Sequence, residues 1–291
     1  MKLVSYKTNE EEQGAIELDG KLIPLLALND HFHFHYETTI FSLLEKGQYE
    51  SLKNWYVHEG KEALANSSLP FLEEWAPAPL YRHPRKIWGI GMNYRKGVED
   101  QFASNTVAPV SFMKPDTSLI GPEDLIQIPP LSKNTTAEAE LALVIGKTCK
   151  EVSEADALDY VAGVAAALDM TEADIHAENL RYLTRAKSFN TFFSFGSELV
   201  SLDEYPCLDD IHVTTLQDGE EQHTNRIGAM RYSLAYIVSF HSEVMTLLPG
   251  DILLTGTPGA VVLRDGVVVS CRISGFSKEL ENKAASKGIL S

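Results

Sequence analysis

Residues 135–147 read TTAEAELALVIGK, and no other stretch restricts the fold as closely. Glu138 and Glu140 stand one residue apart and lead into an unbroken apolar run from Leu141 to Ile145. Side chains alternate faces along a strand, so the two glutamates share a face, about 7 Å apart. From Ala142 onward both faces are apolar, so the strand enters a core. Two carboxylates aimed together at a core's edge repel each other unless a positive group lies between them. A hard divalent cation is the simplest such group, because Mg2+ and its relatives take oxygen ligands. The alternative is an exposed edge strand with two solvated glutamates.

The chain has 291 residues, of which 44% are hydrophobic, enough for a sizeable core in one or two domains. Its formal net charge of −16 argues against a nucleic-acid partner, since phosphate binding rests on basic patches. No apolar run approaches the length of a membrane span, and MKLVSYKTNEEEQG has no apolar core of a signal peptide. Cys149, Cys207 and Cys271 form an odd, sparse set, which suggests reduced thiols rather than a disulfide framework. These features fit a soluble cytoplasmic enzyme. A small anionic substrate would need a local positive centre against the global field.

Residues 1–80 read as a small N-terminal domain and 81–291 as the main one. Strands are expected at KLVSYK, GAIEL and KLIPLLAL, with a hairpin turn at Asp19-Gly20 and helices over 38–66. His31, His33 and His35 in HFHFHY could share a strand face and bind a transition metal. No carboxylate or cysteine partner stands nearby, so a loop or edge with partly exposed histidines is expected. Gly89 and Gly91 do not begin a dinucleotide loop, because the third glycine position is Tyr94. They are expected where backbone passes close to a neighbour or a ligand. Lys114, between apolar residues, points either inward or outward as a snorkelling side chain.

Ser153 and Asp156 predict a helix to about Tyr160. Val161 to Leu168 is an apolar strand that Asp169 ends, and a carboxylate there is costly unless paired or ligated, the alternative being a helix cap. Thr171 with Asp174 opens a helix carrying His176, and Lys187 precedes an aromatic strand. A hairpin turns at Asp218-Gly219, and a helix runs from Arg231 to Met245. The Gly256-Thr257-Pro258-Gly259 loop offers backbone N–H groups and a hydroxyl to a carboxylate.

GIGMNY, FMKPDTSLIGP, AEAELALVIGK, YVAGVAAALDMTEAD, KSFNTFFSFG and MTLLPGDILLTGTPG, in this order across about residues 85–282, resemble the fumarylacetoacetate hydrolase family. The resemblance implies an α+β, mainly β fold. A mixed β-roll catalytic domain follows a small N-terminal α/β domain, and the assembly is a homodimer. It also implies Mg2+ or Mn2+ held by Glu138, Glu140 and Asp169. Family substrates are 2-oxo acids or 1,3-dicarbonyl acids, polarised by the metal as a Lewis acid. Lys187 would hold developing enolate charge, Thr257 with Gly256 would bind the substrate carboxylate, and Lys114 and Tyr94 would line the pocket.

The departures bear on the reaction. Hydrolytic members carry a histidine four residues after the asparagine of NY and an acid three further on, which together activate water. Here these positions are Gly97 and Asp100. The usual arginine, glutamine and aspartate further along are Ala173, His176 and Asn190. Glu99, Asp100 and His176 are the remaining candidates for acid–base work. The expected function is C–C bond cleavage of a small 2-oxo or 1,3-dicarbonyl acid, by hydrolysis or decarboxylation. Isomerase, lyase or dehydratase chemistry on such an acid would use the same site, and a catalytically silent metal-binding relative would keep only the acids.

Overall fold

The two longest strands, Thr135–Ile145 and Val161–Glu172, pair antiparallel along almost their whole length. They lie at the centre of a 13-stranded sheet in a computed structural model that describes residues 1–9, 11–95 and 108–286. On one side the sheet continues through Glu198–Val200 to the N-terminal strands Lys2–Lys7, Glu12–Leu18 and Lys21–Pro24. On the other it continues through Ile252–Leu254 and Ile87–Gly91 to Val110–Lys114. A second, five-stranded sheet includes the hairpin His212–Gln217/Glu220–Arg226 and the strands Val268–Ile273 and Leu280–Ser286.

Both faces of the central pair are covered, which is why its sequence stops alternating after Glu140. One face carries Ala139, Leu141 and Leu143 into a core with Val213, Val269 and the helix Leu234–Val244. The other carries Ala142 and Val144 into a core with Leu43, Tyr49 and Leu52 from the first 80 residues. Tyr49 crosses that second core, and its hydroxyl donates to the carbonyl of Ala162 at 2.6 Å.

Several expectations hold. The Asp19-Gly20 and Asp218-Gly219 pairs form hairpin turns with positive φ at both residues, as two-residue hairpins require. A side-chain carbon on Gly89 would lie 2.3 Å from the Phe112 ring, so the close approach expected there is real. Residues 38–66 are helical, as Ile40–Glu45, Tyr49–Trp55, a π-helical turn at Tyr56–Gly60, and Lys61–Ala65.

Others need correction. KLIPLLAL is a strand only to Pro24; Leu25–Phe32 is a helix that buries Leu25 and Leu28. His31 lies in the last turn of that helix and His33 caps it in the left-handed region. His31, His33 and His35 are exposed, while Phe32 and Phe34 between them pack on Trp55. The helix expected after Ser153 is a 3-10 turn, Ala157–Tyr160. The strand after it does not end at Asp169 but runs three residues further to Glu172, because Thr135 to Ala137 supply partners for that length. The helix expected from Thr171 therefore begins later, at Ala173–Glu178.

Candidate metal centre

Antiparallel register creates the site. Glu138 stands opposite Asp169, and Glu140 opposite Ala167, so three carboxylates from two neighbouring strands meet on one face. Ligand oxygens of Glu138, Glu140 and Asp169 all lie within 4.8 Å of one another. Among the described residues this is the single group of three or more acidic, cysteine or histidine side chains so disposed. Asp169 is fully buried, Glu140 is 2% exposed, and Glu138 is half-buried.

Such a cluster is costly without positive charge, and the fold supplies two lysines. Lys114, from the strand Val110–Lys114, donates to Asp169 Oδ1 at 2.6 Å and to the carbonyl of Met170 at 3.0 Å. Lys187, at the end of the helix Leu183–Lys187, donates to Asp169 Oδ2, to Thr171 Oγ1 at 2.8 Å and to Glu138 Oε2 at 3.2 Å. Its ammonium also lies 4.3 Å from the centroid of the Phe112 ring.

The protonation balance follows from these contacts. Burial pushes Lys114 down to about 8, against the pull of its one carboxylate partner, Asp169. Burial works against the charged amine of Lys187 too, but Asp169 and Glu138 together outweigh it and hold its pKa above the ordinary value. Burial would raise Asp169, yet Lys114 and Lys187 bring it below the usual carboxylate range. Among the described residues no lysine donates a hydrogen bond to Glu140. Burial, then repulsion from Asp169 and Glu138, pushes its carboxyl well up, opposed in part by Lys187 and by the Gly256 N–H.

With every group ionised, three carboxylates against two ammonium groups would leave the cluster net negative. The donors are all hard oxygens, the set that Mg2+ and Mn2+ take, so the residues fit a divalent cation. A cation of that charge would turn the cluster net positive and suit a small anion.

The other expected site residues are placed less uniformly. Gly256 N–H donates to Glu140 Oε2 at 2.7 Å, so it is committed to a carboxylate of the protein rather than of a substrate. Thr257 Oγ1 is half-buried and exchanges hydrogen bonds with Gly259, at 3.2 Å to both its N and its O. The Tyr94 ring lies in a core cluster with Ile90, Leu141 and Met230, and its hydroxyl is buried with no hydrogen-bond partner among the described residues; burial first, and then the Glu140 carboxylate, push its pKa up. His176 lies half-buried on Ala173–Glu178. Gly97, Glu99 and Asp100 lie outside the described residues.

Thr171 joins the site although its sequence context suggests a helix cap. The signal for it is present, since Thr171 follows Asp169 by two positions and therefore shares its face. Asn93 also bears on the site, and no sequence pattern marks its partners.

The family profile described as "Fumarylacetoacetate (FAA) hydrolase C-terminal" matches residues 86–283. A Burkholderia lata protein provisionally named a hydrolase is 31% identical over 293 residues, covering 97% of this chain and 98% of its own. Among solved structures, the fumarylacetoacetate hydrolase of Exiguobacterium antarcticum is similar at 25% identity and a TM-score of 0.83, covering 99% of this chain and 100% of that one. The 5-carboxymethyl-2-hydroxymuconate delta-isomerase of Mycobacterium smegmatis is similar at 26% identity and a TM-score of 0.76, with the same coverage.

Proposed function

Given that this chain belongs to the fumarylacetoacetate hydrolase family, we propose that it is an enzyme cleaving a C–C bond in a small 2-oxo or 1,3-dicarbonyl acid, by decarboxylation or hydrolysis. The observation that carries this reading is the convergence of Glu138, Glu140 and Asp169 beside Lys187. The three carboxylates would hold Mg2+ or Mn2+, which when bound supplies Lewis acidity towards a carbonyl oxygen. Lys187, whose ammonium is hydrogen-bonded to two of these carboxylates, would offset negative charge that develops on a substrate oxygen as the bond breaks. Lys114 keeps Asp169 ionised from behind. His176, half-buried on the neighbouring helix, is the candidate proton carrier, with Glu99 and Asp100 also eligible by residue type.

Gly97 tilts the balance between the two cleavages. Hydrolysis needs a base for water, and glycine cannot take a proton. Loss of CO2 from a β-keto acid needs an electron sink and a later proton, which the remaining groups can supply. A second reading, isomerisation of a 2-oxo acid, needs the same sink and one proton carrier. The likeness to a delta-isomerase favours it over lyase or dehydratase chemistry and over a silent relative. We further read the protein as a cytoplasmic homodimer, with its three free thiols suited to a reducing compartment; light scattering of the eluting peak checks the dimer.

The test is turnover of purified protein with Mg2+ or Mn2+ on oxaloacetate and acetylpyruvate, with EDTA controls. Oxaloacetate loss above the metal-only rate, with acetylpyruvate intact, supports decarboxylation. Acetylpyruvate cleavage supports hydrolysis and makes His176→Ala the next variant. No turnover of either in the presence of the cation counts against cleavage and moves the reading to isomerisation or to a silent relative.

A further inference from the structure

Asn93 is 1% exposed, and its side chain makes three hydrogen bonds to backbone. Nδ2 donates to the carbonyl of Thr255 at 2.8 Å and to that of Tyr232 at 3.3 Å, and Oδ1 accepts from the N–H of Tyr232 at 2.9 Å. The carbonyl of Asn93 also accepts from the N–H of Arg231 at 2.6 Å. The amide is therefore locked from both ends, with no freedom to rotate away from Thr255.

The Thr255 carbonyl belongs to the same peptide unit as the Gly256 N–H. That unit is planar and trans, so fixing its oxygen fixes where its hydrogen points. The hydrogen points at Glu140 Oε2, 2.7 Å from the nitrogen. Thr255 is held on its other side as well, its N–H and Oγ1 both donating to the carbonyl of Leu141, at 3.1 and 2.9 Å. Gly256 adopts φ +95°, and a side-chain carbon there would lie 2.8 Å from Asn93 Cβ. Asn93 and this peptide plane are thus in direct contact at both its polar and its apolar edge.

Glu140 depends on that plane more than its two neighbours do. Asp169 and Glu138 are each oriented by a lysine, whereas Glu140 is oriented by the Gly256 N–H. We propose that Asn93 is a positioning residue for the metal centre: its amide fixes the Thr255–Gly256 peptide, and that peptide aims the Glu140 carboxylate. The inference rests on the reading of Glu138, Glu140 and Asp169 as cation ligands. Groups that orient ligands are typically worth about 10–100-fold in metal affinity. Acting through one intervening peptide, Asn93 belongs at the lower end of that range.

The test is Mn2+ affinity of the full chain, followed by the electron paramagnetic resonance signal of the free ion. Asn93→Asp keeps an acceptor for Tyr232 N–H and loses the donor to Thr255, and Asn93→Ala loses both. Gly256→Ala strains the same plane from its other end. Asn29→Ala is the control, since it removes a part-buried pair of hydrogen bonds to Tyr36, far along the chain from the site. The expected result is about a tenfold rise in Kd for the Asn93 variants and for Gly256→Ala, with Asn29→Ala unchanged. Wild-type protein that fails to bind Mn2+ would overturn the metal reading and this proposal with it. Wild-type binding with Asn93 variants within twofold of it would overturn this proposal alone. So would an equal loss in Asn29→Ala, or failure of all the site variants to fold, either of which makes Asn93 a purely structural residue.

Discussion

At the scale of single residues, Asp169 shows how charge is balanced here. It is fully buried, and its two oxygens each receive a different lysine, Lys114 on Oδ1 and Lys187 on Oδ2. Lys187 is also the one that reaches Glu138. Removing one partner of a buried ion pair typically costs about 3–5 kcal/mol, because the other charge is left uncompensated. Lys187→Ala is therefore expected to lower stability by about that much in EDTA. Excess Mg2+ should narrow the gap to wild type, because the cation restores positive charge beside the same carboxylates. Urea unfolding of both proteins with and without Mg2+ checks this; a gap of equal size in both conditions counts against cation binding at these acids. The acid pair itself was legible, since period-two alternation alone puts Glu138 and Glu140 on one face. Asp169 was legible only as a costly carboxylate. Its place opposite Glu138 depends on strand register, which no local pattern carries.

At the scale of elements, the helix Leu234–Val244 is tied to the strand Val110–Lys114 by a polar contact between His241 and Ser111. His241 is 1% exposed, with Nε2 2.9 Å from Ser111 Oγ and Nδ1 2.7 Å from the carbonyl of Ile237. Burial pushes the imidazole below its ordinary value, against the hydrogen bond to Ile237. The sign of the linkage follows. A depressed value in the folded state means that the unfolded chain takes up a proton first as pH falls. The contribution is complete above the unfolded value of about 6.5 and is lost as pH falls below it towards the folded value. The loss is at most about 1.4 kcal/mol per pH unit. His241→Gln should be less stable than wild type at pH 7.5 but lose less on going to pH 5.5, as urea midpoints at the two values would read. Parallel pH dependence in the two proteins would remove His241 from the account. The helix was legible from its apolar spacing, but it begins at Leu234 rather than Arg231, where the Ser233 hydroxyl caps it by accepting from Tyr236 N–H. The helix Leu25–Phe32 was not, because LLAL reads equally as strand and its first turn has no side-chain cap.

At the scale of the whole molecule, residues 1–80 and the rest are held by shared backbone and shared core. Lys2, Leu3 and Val4 pair with Val200, Leu199 and Glu198, and the N–H groups of Ser5 and Leu80 donate to the carbonyls of Ser197 and Gly196. Leu3, Leu43, Tyr49 and Leu52 lie in one cluster with Ala162, Ala165 and Phe195. The strand Val161–Glu172 that carries Asp169 is thus packed directly against the N-terminal segment. Fully burying a leucine-sized side chain is worth about 1.5–3 kcal/mol, so separating the two parts would expose several such groups at once. Composition and turn signals suggest a break near residue 80, but they do not report what each side packs against; that is set by pairing between strands nearly 200 residues apart. Heating should therefore produce one calorimetric transition, with the calorimetric enthalpy equal to the van't Hoff value. Mg2+ should raise the midpoint of that single transition, because a ligand of the folded state stabilises everything that unfolds with it. Two resolved transitions, with only the upper one moved by Mg2+, would mean that the first 80 residues unfold on their own and that the acid cluster does not depend on them.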